Sequence, residues 1–216
     1  MEITRANALR FGKQLEVATI AWMLIEAVIS IGAGVAARSV LLTAFGIDSV
    51  IELLSGIVVF RRLSLEAKGA ATDEVEDLET TTTRISALLL VLLCAYVLIS
   101  SLVGLALRLT PEGSIAGIVI SAVAVAAMPL LAHLKRRVNR VLGSPSLRAD
   151  IAESVSCAYL AGVTLAGLLV SMLTGWWWVQ YLAALGLLIW LVPEAREALA
   201  EGQIIGRLRG KGDKHE

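Results

Sequence analysis

The chain has 216 residues, 57% of them hydrophobic and only 18% charged, with a mean hydropathy of +0.78 and a formal net charge of zero. A soluble domain of this size needs more polar surface to cover itself, and nothing in the charge argues for nucleic acid. The charges crowd into short segments between apolar runs of the length, about 20 residues, that crosses a bilayer.

In chain order the apolar runs cover residues 15–37, 41–60, 85–107, 114–134, 147–172 and 176–192. They predict an all-α, integral membrane bundle of six transmembrane helices. The first run is long enough to be a span rather than a signal peptide. It carries Glu26 among apolar neighbours, where a charge costs several kcal/mol. Two roles are open for Glu26: a proton pathway or metal-supporting group, or a structural hydrogen bond to Ser30 or a neighbouring helix.

Span two holds Asp48 and Glu52. Their spacing of four puts both carboxylates on one helix face, one turn apart. The segment 64–83 that follows is acidic and threonine-rich, and reads as a solvated linker. Span three contains Cys94, whose neighbours are apolar, so core packing is expected. Span four ends near His133, an interfacial position. Lys135, Arg136, Arg137 and Arg140 come next and read as loop residues. No lysine or arginine is expected inside the apolar core of a span.

Span five opens with Asp150, read as a helix stabiliser or ion-pair partner near Arg148, with metal binding as the alternative. It then carries Glu153 and Cys157, again four apart. Ser49, Ser154 and Ser156 flank these residues. They either orient the ligands through hydrogen bonds or pack helices together. Span six begins at Trp176, Trp177 and Trp178, an interfacial anchor. Residues 1–199 are expected to form one transmembrane domain, and 200–216 a short disordered tail containing His215.

Basic residues gather before span one, between spans two and three, between four and five, and after six. The opposite side receives only Arg38 and Arg108. By the positive-inside rule both termini are cytoplasmic. Span two then runs inward and span five outward. Asp48 and Glu153 each lie about eight residues into their spans, about 12 Å deep at 1.5 Å per residue. Both pairs therefore reach similar depth near the bilayer centre. The text Asp48-Ser49-Val50-Ile51-Glu52 is also echoed by Glu153-Ser154-Val155-Ser156-Cys157, three spans later, as in transporters built from two opposed halves.

Asp48, Glu52, Glu153 and Cys157 offer three carboxylates and a thiol, a four-donor set suited to zinc. Sulfur disfavours magnesium and calcium. Cobalt, cadmium and ferrous iron fit nearly as well, and manganese less naturally. A divalent cation needs deprotonated ligands, so binding releases protons. Alternating access would then move metal and protons in opposite directions, with metal leaving the cytoplasm. The transported ion is substrate, and no permanent cofactor is expected. A metal-binding protein that modulates or scaffolds a partner without transport is the alternative. An enzyme is not expected, because the acids are deep and few basic residues stand near them.

Residues 39–56 (SVLLTAFGIDSVIELLSG) and 144–162 (SPSLRADIAESVSCAYLAG) resemble the cation diffusion facilitator family, as do the Met128-Pro129 segment and the run from Gly175 to Trp178. The similarity runs from Leu15 to Glu197. It is strongest with a short bacterial branch that lacks the large cytoplasmic domain, which implies a bacterial cytoplasmic membrane. In that family the paired residues of helices two and five form the transport site, here Asp48, Glu52, Glu153 and Cys157. The resemblance also implies a homodimer, here through membrane helices. Many members carry histidine and aspartate in helix five, where this chain has Glu153 and Cys157.

Overall fold

The computed structural model describes residues 5–68 and 73–212. They form six helices, and no strand occurs among the described residues. The helices are α1 (Arg5–Ala36), α2 (Val40–Lys68), α3 (Asp73–Ala106), α4 (Ile115–Leu142), α5 (Pro145–Thr174) and α6 (Val179–Gly212). Each contains a stretch long and apolar enough to cross a membrane.

Local sequence sets several helix ends. Ser114 caps α4 by accepting the Gly117 N–H at 3.0 Å, which satisfies a donor that the first turn leaves unpaired. Ser144 does the same for α5, accepting from Leu147, and Pro145 enters the first turn where its missing N–H is no loss. Between them α4 stops at Gly143, whose φ of 65° is left-handed and whose N–H returns to the Asn139 carbonyl.

On the side of the α1–α2, α3–α4 and α5–α6 turns, the helices end close to where the apolar runs end. On the other side they run past them, to Arg5, Lys68, Leu142 and Gly212. Hydropathy marks the bilayer boundary, whereas Lys, Arg, Glu, Ala and Leu are all good helix formers and continue the helix into water. Part of the acidic segment 64–83 is helical on the same ground. α2 persists through Lys68 and α3 begins at Asp73, with residues 69–72 outside the described part. Helix α6 likewise continues through residues 200–212, and His215 lies outside the described residues.

Helices α1, α2, α4 and α5 pack as a four-helix bundle: α1 against α2 and α4, and α5 against α2 and α4. Helices α3 and α6 pair with each other, α3 resting on α2 and α6 on α5 and α2. The α1–α2 contact is close. A Cβ at Gly46 would lie 2.7 Å from the Ile31 backbone nitrogen, so glycine permits this approach.

The interior is divided between two apolar clusters. Met23, Phe45, Leu93, Met128, Leu160 and Leu187 belong to the larger. Leu9, Leu15, Leu63, Val138, Leu147 and Ile151 belong to the smaller, which lies toward the end where the chain termini emerge. Outward-facing Val28, Ile115, Leu173 and Ile189 are 66%, 75%, 78% and 76% exposed. In water such a surface would aggregate. Against lipid it is the expected exterior, and the protein is an integral membrane protein.

Candidate functional site

The polar interior is built where α2 meets α5. Asp48 is 4% exposed and Cys157 is fully buried, while Glu52 and Glu153 are half-buried. Glu153 accepts a hydrogen bond from Ser55 on α2, and its Oε2 is buried with no partner. Asp48 lies within electrostatic reach of Glu194, Glu26 and Glu153, and Glu52 within reach of Asp48, Glu153, Glu26 and Glu194. Cys157 lies within reach of Glu52, Glu26 and Asp48.

The four sequence-predicted ligands therefore share one buried region, with both half-sites facing it. They do not form a closed coordination shell. Among the described residues, no three His, Cys, Asp or Glu side chains are arranged to hold a metal ion. Like-charged carboxylates held in low dielectric repel strongly, which favours such a spread arrangement.

Glu26, fully buried on α1, is the hub of this region. Its Oε1 accepts from the Ser49 hydroxyl at 2.6 Å and from the Cys157 thiol at 3.5 Å, and its Oε2 accepts from the Trp22 indole N–H at 2.7 Å. One carboxylate thus ties α1 to α2 and α5. The alternative partner, Ser30, is not used, and its hydroxyl is buried without a partner.

The flanking serines divide in role. Ser49 donates to Glu26 and also approaches the Phe45 carbonyl at 3.0 Å. Ser154 donates to the Asp150 carbonyl of its own helix at 3.0 Å. Ser156 donates to the Ala152 carbonyl and accepts the Trp190 indole N–H from α6 at 2.8 Å. Tyr159 stacks on the same indole at 5.0 Å, so this contact fastens α6 to α5. Cys94 is half-buried and packs against the larger cluster, and His133 is exposed.

One expectation about charge is corrected. Lys135 is not a loop residue. It is fully buried within α4, and its ammonium binds Asp150 on α5 and, at 3.2 Å, Glu16 on α1. Asp150 is accordingly an ion-pair partner. The hydropathy boundary hid Lys135, yet periodicity could have found it. Ala124, Met128, Ala132, Lys135, Val138 and Leu142 are all buried and recur every three or four residues, one continuous helical face.

Glu16, also fully buried, was overlooked inside the first turn of span one. Glu194 was overlooked because span six was ended at 192. It follows Leu187 and Leu191 on their buried face, and its Oε2 is buried and unpartnered. Asp48 and Glu52 on α2 thus lie within electrostatic reach of acids from α1, α5 and α6: Glu26, Glu153 and Glu194.

Against known proteins, the family model of the cation efflux transmembrane domain matches residues 17–202. No curated protein matches the chain significantly.

Proposed function

The chain belongs to the cation efflux family, a family of membrane cation transporters, and from that premise we propose that it exports divalent transition-metal ions, zinc foremost, in exchange for protons. The observation that carries this reading is the convergence of Asp48 and Glu52 with Glu153 and Cys157 on one buried region between α2 and α5. Buried carboxylates without basic partners make a poor structural clasp, because ionised acids cannot pair with each other. A divalent cation supplies the missing charge.

The thiol favours zinc, cadmium or cobalt over magnesium and calcium. To bind such a metal Cys157 must give up its proton. Glu26 already accepts the thiol's hydrogen bond, so it is the nearest group to take that proton. Ser49 and Trp22 hold the Glu26 carboxylate in place from its other sides. Metal arrival and proton departure are then linked at one contact. With both termini cytoplasmic by charge asymmetry, loading from the cytoplasm and release outside gives efflux. A homodimer formed through the membrane helices belongs to the same reading.

The test is zinc flux in proteoliposomes under an imposed proton gradient, comparing wild type with Asp48→Ala. Gradient-driven flux that the substitution abolishes supports the reading. Metal binding without flux, across zinc, cobalt, cadmium, iron and manganese, would favour a binding or scaffolding protein instead.

A further inference from the structure

At the end of the bundle where the chain termini emerge, α1 and α2 enclose an open groove of about 570 Å3, away from the central acids. Leu9, Arg10, Lys13 and Val17 line it from α1, and Phe60 and Ala67 from α2. The α1 residues recur every three or four positions and the α2 pair is seven apart, so each helix presents one face to the groove. The Lys13 ammonium lies 5.8 Å from the centre of the Phe60 ring, a cation held across the groove by an aromatic face. Arg10 is exposed beside it. Among the described residues, neither Arg10 nor Lys13 has an ion-pair partner. Two cations without counter-charge on one concave surface suit an anion.

The depth of the groove says which kind of anion. The apolar run of α1 begins at residue 15 and that of α2 ends at residue 60. Arg10 and Lys13 therefore stand on the water side of the boundary, Phe60 stands at it, and Val17, 53% exposed, stands on the hydrocarbon side. Arg10 to Val17 covers about 10 Å along the helix axis. A soluble anion would use only the cationic upper part and leave Val17 and the Phe60 ring uncovered. A phospholipid uses both parts, because its phosphate and its acyl chains are joined at this spacing. Basic pockets between helices near the membrane surface are a recognised form of anionic-lipid site.

We propose that this α1–α2 groove binds one anionic phospholipid from the leaflet on the terminal side. Its phosphate sits between Arg10 and Lys13, within reach of the Gln14 amide, which also lines the groove. One acyl chain lies along Val17 and the Phe60 ring. A zwitterionic lipid is disfavoured, because its headgroup cation would add a third positive charge beside these two.

Native mass spectrometry of the full, metal-free chain in detergent tests the site, with dioleoyl phosphatidylglycerol and dioleoyl phosphatidylcholine as the probes. Each basic side chain beside an anionic headgroup strengthens binding by about fivefold, so the first phosphatidylglycerol should bind wild type at least about tenfold more tightly than the first phosphatidylcholine. Arg10→Gln combined with Lys13→Gln should bring the two lipids to within about twofold of each other. Arg136→Gln combined with Arg137→Gln, an exposed basic pair on α4 outside the groove, should keep the preference. The proposal is overturned by a wild type without preference, by a preference that survives loss of Arg10 and Lys13, or by one lost equally with the α4 pair. The last result would mean diffuse attraction to charge. An excess of glycerol 3-phosphate should leave lipid binding unchanged, and displacement by it would overturn the lipid in favour of a soluble phosphate. Should the double variant not fold, Arg10→Gln alone is expected to weaken phosphatidylglycerol binding by about threefold or more, and an unchanged affinity overturns the proposal. No metal is present in this assay, so its outcome is independent of whether the chain transports one.

Discussion

Replacing Glu26 by Gln separates the structural duty of this carboxylate from its proposed proton duty. Glu26 accepts from Ser49 and Cys157 on Oε1 and from Trp22 on Oε2. A glutamine can keep its oxygen toward the Trp22 N–H and turn its amide toward Ser49. The Ser49 hydroxyl then donates to the Phe45 carbonyl, 3.0 Å away, and accepts from the amide. Every strong donor keeps a partner. What is lost is the extra strength of bonds to a charged acceptor, about 1 kcal/mol for each bond, so folding should weaken by about 1–2 kcal/mol. The amide cannot accept a proton, and Cys157 then has no neighbouring group to take its hydrogen. A penalty of at least about 1.4 kcal/mol on forming the thiolate corresponds to a tenfold loss. The assay pairs thermal unfolding in detergent with proton-driven zinc flux in proteoliposomes. The expected result is a protein that melts close to wild type and carries zinc at least about tenfold more slowly. Wild-type flux from Glu26→Gln would refute the assignment of Glu26 as proton acceptor.

Cys157→Ser substitutes a harder donor of similar shape that still reaches Glu26. Cadmium flux should fall about tenfold more than zinc flux, measured as the ratio of the two initial rates; an unchanged ratio would remove the sulfur from the site. Gly46→Val should lower stability by about 2 kcal/mol or more through overpacking, because its Cβ would lie 2.7 Å from the Ile31 backbone nitrogen, which has little room to yield. A thermal melt in detergent reads this, and a wild-type midpoint would mean that α1 and α2 separate freely.

Spans and paired donors were legible because two strong physical signals coincide with them. Long apolar runs announce bilayer crossings, and acids four residues apart inside such runs mark one helix face. Glu16, Lys135 and Glu194 were not legible by the same route. Each lies near the edge of its apolar run, where an ionisable residue is ordinarily solvated, and hydropathy says nothing about whether that edge is buried by a neighbouring helix. Lys135 is enclosed because α1, α4 and α5 continue together past the apolar runs. That is a property of helix length and packing, which only the helical periodicity of α4 records. The hub role of Glu26 was half legible: its cost in the membrane announced a partner, but the choice of Ser49 and Cys157 over Ser30 depends on how α1 is rotated against α2 and α5.

The hydrogen bonds that join helices around the central acids are made by the proposed ligands and their immediate neighbours. Cys157 donates to Glu26, Ser49 donates to Glu26, and Ser55 donates to Glu153. A metal drawn to Glu153 and Cys157 competes with two of these three contacts. Ion binding at the proposed site would therefore alter the links among α1, α2 and α5 and leave the α6 contact through Trp190 and Ser156 in place. A transporter must bind its ion with different strength in its two conformations, because an ion with equal affinity for both shifts nothing. On the proposed function that difference would arise from geometry: occupancy would exchange interhelical hydrogen bonds for metal–ligand bonds, and the helices that lost those bonds would be the ones that carry the proposed site.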